Sequence, residues 1–63
     1  MSPSVQRLLG MLKAGPLEWR QIAARFGSRS TAQHAVAAAV KAELVEKSVD
    51  EQTYRLRREV IDG

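Results

Sequence analysis

Apolar residues recur along the first part of the chain at the spacing of a helix. Ser2 and Pro3 form a good helix start, with serine as the N-cap and proline at the first helical position. Gly15 and Pro16 end the segment, because glycine suits a helix C-terminus and proline cannot continue a helix. The pattern therefore predicts a first helix over 3–14. Its apolar stripe consists of Val5, Leu8, Leu9 and Leu12.

A second helical pattern covers 17–26, and its first one or two residues also suit a very short strand that leads into the helix. We assign Trp19 to the core, because a single large aromatic side chain in so small a domain more often packs than forms a binding platform. Arg20, Gln21 and Arg25 then point outward. The inner face comprises Trp19, Ile22, Ala23 and Phe26.

A third helix is predicted over 30–42, and its two sides differ in character. A helical wheel places the apolar residues Ala32, Ala35, Val36, Ala39 and Val40 on the core side. The opposite side carries Ser30, Thr31, His34, Ala37, Ala38 and Lys41. Short outward side chains allow a helix to lie deep in a groove, although Ala37 and Ala38 are equally explained as good helix formers at solvent positions.

Beyond the third helix the hydrophobic pattern changes from helical to alternating. The stretches 44–49 and 53–57 suit β-strands, and 50–52 is polar enough for a tip, which together predict a hairpin over 44–57. In the second strand, Tyr54 and Leu56 face the core, and Thr53, Arg55 and Arg57 face outward.

Three helices followed by a β-hairpin make an α+β fold, and 63 residues leave room for one domain over 1–63, with 59–63 as a loose tail. Its core should unite the apolar faces of all these elements. Burial of Phe26 there would make Phe26→Ala cost about 3–5 kcal/mol. The expected core residues are Leu8, Leu12, Ile22, Phe26, Val36, Val40, Tyr54 and Leu56.

The stretch from Leu17 to Thr31 joins a helix, a glycine-bearing turn and a second helix with a polar, basic start, which is the sequence form of a helix-turn-helix. With Glu43-Leu44-Val45-Glu46 after it, the order of elements over 5–57 resembles the winged helix-turn-helix family of prokaryotic regulators. The resemblance implies that the third helix enters the major groove. It also implies that the hairpin, as the wing, touches the flanking backbone or the minor groove.

The chain departs from that family at two positions. Gly27 directly precedes Ser28, whereas family members usually have one more residue between the glycine and the serine. The set of third-helix residues that face the groove is therefore open by about one residue. Glu43 stands where a glycine is common, so the residue best suited to a left-handed cap is missing.

The candidate DNA-binding residues fall into three groups. Ser28, Arg29, Ser30 and Thr31 lie at a helix N-terminus, which attracts anions, although Ser28 or Ser30 must also cap the helix and Arg29 has Glu18 as an alternative partner. Gln33 and His34 carry side chains that can hydrogen-bond base edges. Lys41, Lys47 and Arg55 are candidates for neutralising phosphates.

Charge is distributed unevenly along the chain, whose net charge is +3. Residues 1–42 carry six Lys/Arg against one acidic residue, and residues 43–63 carry four Lys/Arg against six Asp/Glu. The basic first part suits a surface for a polyanion, whereas +3 by itself is ordinary for a solubilising surface. Asp50 and Glu51, at the predicted wing tip, argue against deep insertion of the wing into a minor groove.

The composition of the chain bears on whether it holds disulfides or metals, enters a membrane or catalyses a reaction. The chain has no cysteine, and its single histidine, His34, has no co-ligands in helical register, so we expect no disulfide, metal or cofactor. It has no membrane-length apolar run, and 1–3 begins no signal peptide, so we expect a soluble, cytoplasmic protein without a membrane partner. Without a catalytic constellation we expect neither an enzyme nor a small-molecule substrate.

These observations favour a small protein that binds duplex DNA, either a transcriptional regulator or an accessory DNA-binding factor. The alternative is a winged helix that contacts only proteins, which the acidic last third would suit. RNA binding is disfavoured because the sequence indicates no aromatic surface for stacking bases. A homodimer or a protein partner stays open, since palindromic sites usually bind dimers and Val60 and Ile61 offer a small apolar contact. These two residues equally suit a position over the base of the hairpin.

Overall fold

The computed structural model describes residues 2–48 and 52–57, which form a small α+β fold. The described part contains three helices and a three-stranded antiparallel sheet. The predicted wing tip at Asp50 and Glu51 and the tail with Val60 and Ile61 lie outside the described residues. In chain order the elements are α1 (Pro3–Leu12), β1 (Leu17–Glu18), α2 (Trp19–Phe26), α3 (Arg29–Lys41), β2 (Val45–Lys47) and β3 (Thr53–Leu56).

The first helix starts as predicted and ends earlier. The Ser2 hydroxyl accepts a hydrogen bond from the Val5 backbone N–H at 3.3 Å, as an N-cap does. The helix ends at Leu12, two residues before the predicted end, and the Gly15 N–H then donates to the Leu12 carbonyl at 3.1 Å. Gly15 has a φ of +141°, and Pro16 disfavours helical backbone in the residue before it, so the chain leaves the helix before the proline.

Residues Leu17 and Glu18 form the short strand that the sequence offered as an alternative, and α2 begins at Trp19. The Glu18 N–H donates to Gln21 Oε1 at 2.9 Å, half of a capping box that fixes the start of α2. Gly27 ends α2 with a φ of +73°, and its N–H donates to the Ala23 carbonyl at 3.0 Å.

The sheet extends beyond the predicted hairpin, because β1 pairs with β3 and makes the strand order β1-β3-β2. Leu17 lies opposite Tyr54, and Tyr54 lies opposite Lys47 of β2. Because side chains alternate between the two faces of a sheet, Lys47 and Tyr54 share one face, and the paired Glu46 and Arg55 share the other. The hairpin itself has strands shorter than the predicted range of 44–57.

The core joins all three helices to β2. Leu8, Leu12, Ile22 and Val36 are buried there, as predicted. Phe26, Tyr54 and Leu56 are half-buried and pack against this core from outside. The buried residues of the core cluster are Val5, Leu8, Leu12, Ile22, Ala32, Ala35, Val36, Ala39 and Val45.

Val40 is the one expected core residue that the structure leaves exposed, with 44% of its surface accessible. The predicted wheel was centred on Val36, whereas the most deeply buried α3 residues are Ala32, Ala35 and Ala39. Their mean direction lies roughly 65° around the helix from Val36, so Val40 lies roughly 100° from the true core direction. The assignment of Val40 to the core was therefore wrong.

The end of α3 forces a glutamate into a conformation that favours glycine. Glu43 has a φ of +60°, its N–H donates to the Val40 carbonyl at 3.0 Å, and the Leu44 N–H donates to the Ala39 carbonyl at 2.9 Å. These two bonds make a Schellman motif with Glu43 at its left-handed position. The helix therefore ends in the usual left-handed cap although a glutamate, and not a glycine, occupies the left-handed position.

We expect Glu43→Gly to stabilise the protein by about 0.5–1 kcal/mol. A left-handed backbone costs a non-glycine residue about 1–2 kcal/mol, and the conformational entropy of glycine offsets part of that gain. The ion pair that would be lost, Glu43 to Arg57 at 3.8 Å, has an exposed carboxylate and contributes little. Thermal denaturation measures the effect, and Gly27→Ala, also at a left-handed position, should lower the midpoint. A lower midpoint for Glu43→Gly would contradict the strain argument.

In the part of the chain that the structure describes, no helix has both the length and the apolar character needed to cross a membrane.

Candidate nucleic-acid interface

The start of α3 is fixed by Ser28. Its side-chain hydroxyl accepts a hydrogen bond from the Thr31 N–H at 3.3 Å, so the N-cap is Ser28 and not Ser30. The helix consequently begins at Arg29, one residue earlier than predicted, and Arg29 is its first helical residue. Ser30 and Thr31 occupy the exposed first turn, where backbone N–H groups lack partners within the helix.

The exposed side of α3 contains all six residues that the helical wheel placed there, together with Arg29, Gln33 and Val40. The exposed residues of α3 are Arg29, Ser30, Thr31, Gln33, His34, Ala37, Ala38, Val40 and Lys41. The helix contains no acidic residue, and the sequence from 19 to 42 has none either. The surface around α2 and α3 therefore has basic side chains without an acidic residue in either helix to offset them.

Five exposed cations of α2, α3 and β2 have no carboxylate partner among the residues that the structure describes. Arg20, Arg25, Arg29, Lys41 and Lys47 are all exposed, and within the described ranges 2–48 and 52–57 none of them pairs with a carboxylate. The alternative in which Arg29 pairs with Glu18 is thus not realised. Arg7 is engaged differently: its guanidinium lies 5.1 Å from the centre of the Phe26 ring and donates to the Arg25 carbonyl at 3.4 Å.

Arg55 is separated from the other candidate residues. Its Nε lies 2.9 Å from Glu46 Oε1 on the sheet face opposite to Lys47 and Tyr54. The strand alternation causes this separation, because Arg55 follows Tyr54 directly. Lys41 lies at the other end of α3, roughly 18 Å along the helix axis from Arg29.

A groove of about 550 Å³ runs between α3 and the sheet. Arg29 and Gln33 lie on its helix side, and Lys47 and Tyr54 lie on its sheet side, with Lys47 Nζ 5.8 Å from the centre of the Tyr54 ring. Trp19 also lines the groove, although the sequence placed it in the core. The complete lining is Trp19, Arg29, Gln33, Val36, Ala37, Lys47 and Tyr54.

Trp19 and Tyr54 serve both the core and the groove. Both are half-buried and pack against the core cluster, and both also line the groove. Their amphipathic rings, with an apolar body and a polar tip, were a signal for such a position. The sequence contained no sign that they meet, because they are brought together by the pairing of β1 with β3.

A second depression, of about 510 Å³, lies beside the α2–α3 turn. It shares Trp19 and Arg29 with the groove and adds Arg20 and Ser28. Both depressions therefore border the start of α3, where the predicted site residues 28–31 lie. In the described segments, no three His, Cys, Asp or Glu side chains come close enough to hold a metal ion.

No protein-family model matches the chain, and no curated protein or solved structure matches it either.

Proposed function

We propose that this chain is a winged helix that binds duplex DNA, with α3 in the major groove. The observation that carries the proposal is the acid-free sequence from 19 to 42, which folds into α2, the turn and α3 with an exposed polar side. A surface with unpaired cations attracts the phosphate backbone, which supplies most of the affinity of DNA-binding proteins. The order of helices and strands is compatible with a winged helix.

The dimensions and side chains of α3 suit a major groove. That groove, about 12 Å wide, admits one α-helix, and the short side chains of Ala37 and Ala38 allow close approach. Gln33 and His34 project from the same side and can hydrogen-bond base edges. Arg29, in the first turn, is suited to a guanine edge or a phosphate.

Backbone contacts in this proposal come from Arg20, Arg25, Lys41 and Lys47. Each is exposed, and among the residues described none of the four is neutralised by a carboxylate. Arg55 contributes less, because its guanidinium is already paired with Glu46. In this role the protein acts as a small transcriptional regulator or an accessory DNA-binding factor. A winged helix that contacts only proteins is the competing function, and titration with duplex DNA at several salt concentrations separates the two.

Affinity for duplex DNA should fall steeply with salt concentration. Each neutralised phosphate contributes about −0.9 to the slope of log affinity against log salt, so Arg20, Arg25, Arg29, Lys41 and Lys47 together allow a slope of about −4.5. Fluorescence polarisation of a labelled duplex at several salt concentrations measures it. Lys47→Ala should flatten the slope by about 0.9 and weaken binding to all sequences equally.

The matched control is Arg55→Ala, which removes the same charge from the opposite face of the same sheet. We expect it to change the slope less than Lys47→Ala does. A duplex that does not bind at low salt, or binds with a slope near zero, would remove the DNA-binding proposal and favour the protein-contact alternative.

A further inference from the structure

The groove between α3 and the sheet combines aromatic rings, cations and an amide. Trp19 and Tyr54 supply the rings, Arg29 and Lys47 supply the cations, and Gln33 supplies the amide. Both charged side chains in its lining are cationic, so the groove is complementary to an anionic ligand with a flat apolar part. This combination follows from tertiary structure, and the outward side of α3 alone does not contain it.

We propose that this groove binds one unpaired nucleotide, taking the base between the aromatic side chains and the phosphate at the cations. The proposal rests on the proposed function and specifies its substrate class: a DNA duplex with an unpaired nucleotide next to the segment that α3 contacts. A groove of about 550 Å³ lies within the usual range for small-ligand sites, about 300–1,000 Å³.

Each side chain has a distinct part in this site. Bases stack on Trp and Tyr rings without strong sequence preference, which explains why two aromatic residues would line a nucleic-acid groove. The Lys47 ammonium now lies 5.8 Å from the centre of the Tyr54 ring. A base on Tyr54 would take that place, and the ammonium would pair with the phosphate, as Arg29 can from the helix side. The Gln33 amide both donates and accepts hydrogen bonds, which suits a base edge.

Trp19 is the only tryptophan of the chain, so its fluorescence reports on the groove directly. The experiment compares a blunt duplex, the same duplex with a short single-stranded thymidine extension, the single strand alone and free thymidine monophosphate. We expect the extended duplex to quench Trp19 fluorescence more than the blunt duplex does. We also expect it to bind between about fivefold and 150-fold more tightly, which is the effect on affinity of one aromatic side chain that stacks on a base.

Substitutions of Tyr54 assign the effect to the groove. Tyr54→Leu should remove most of the preference for the extended duplex, and Tyr54→Phe, which keeps the ring, should retain it. The matched control is Thr53→Val, the neighbouring residue on the opposite sheet face, whose buried hydroxyl has no hydrogen-bond partner among the residues described. Circular dichroism verifies folding. If Tyr54→Leu does not fold, Gln33→Ala, an exposed helix-compatible change, should reduce the preference instead.

The possible outcomes separate this inference from the function on which it rests. Equal affinity and equal quenching for blunt and extended duplexes would overturn the nucleotide site and leave duplex binding intact. Binding of the single strand without the duplex would support the site and overturn the placement of α3 in a major groove. Saturable quenching by thymidine monophosphate alone would support the same site with a free nucleotide as its ligand. No response to any of the four ligands would overturn both proposals.

Discussion

Replacing Ile22 with alanine should remove a large part of the protein's free energy of unfolding. Ile22 is fully buried, and it is the only residue of α2 in that class. Truncating such a side chain to alanine costs about 2–5 kcal/mol. The protein loses the apolar contacts of the removed atoms, and the cavity left behind is only partly filled by relaxation of the surrounding structure. A domain of this length is stable by only about 3–9 kcal/mol. Urea denaturation followed by circular dichroism measures the change in the free energy of unfolding.

Phe26→Ala should lower the free energy of unfolding by less than Ile22→Ala does. The loss should also be smaller than the roughly 3–5 kcal/mol expected from the sequence. The Phe26 ring is half-buried and covered on one side by Arg7, so its removal costs roughly 1–3 kcal/mol. Val40→Ala is the matched control, because it also truncates a branched side chain but at a position that is 44% exposed. Its free energy of unfolding should stay within about 0.5 kcal/mol of that of the parent. A Val40 variant as unstable as Ile22→Ala would mean that the packing of α3 described above is wrong.

Ala37→Glu should strongly weaken binding of duplex DNA without harming the fold. Ala37 is exposed on α3 and lies beside Gln33 on the groove wall, and glutamate is a good helix former. In the proposed complex the new carboxylate would face the DNA. Like charges brought together at an interface cost several kcal/mol, so we expect affinity to fall on the order of a hundredfold or more. Polarisation titration at one fixed salt concentration measures the loss.

Ala14→Glu is the matched control for that experiment. It makes the same change of net charge at an exposed position outside α3, so any loss of affinity it causes measures only the general effect of charge. If Ala37→Glu and Ala14→Glu weaken binding equally, α3 does not contact the DNA. If neither changes a measurable affinity, the DNA-binding surface lies elsewhere on the protein.

The sequence by itself determined the number and order of the helices, the start of α1 and, to within a broad arc, the apolar side of each helix. The Ser2 cap, the Gly27 turn and the stripe of α1 were predictable, because capping and helical amphipathicity depend on residues within four positions of one another. The exposed polar side of α3 followed from the same local periodicity. The start of α3 was displaced by one residue, since either Ser28 or Ser30 is able to cap and only the geometry of the turn selects Ser28.

Tertiary structure decided the features that depend on distant partners. The pairing of Leu17 with Tyr54 makes the third strand and brings Trp19 to the groove, yet neither segment carries a local signal for the other. Packing against α1 and α2 turned α3 so that its alanines face the core and Val40 faces outward, which a wheel of α3 alone leaves undetermined. Local periodicity defines an apolar side to within a broad arc. The direction within that arc, and the pairing of remote strands, depend on which arrangement buries the most apolar surface of the whole chain.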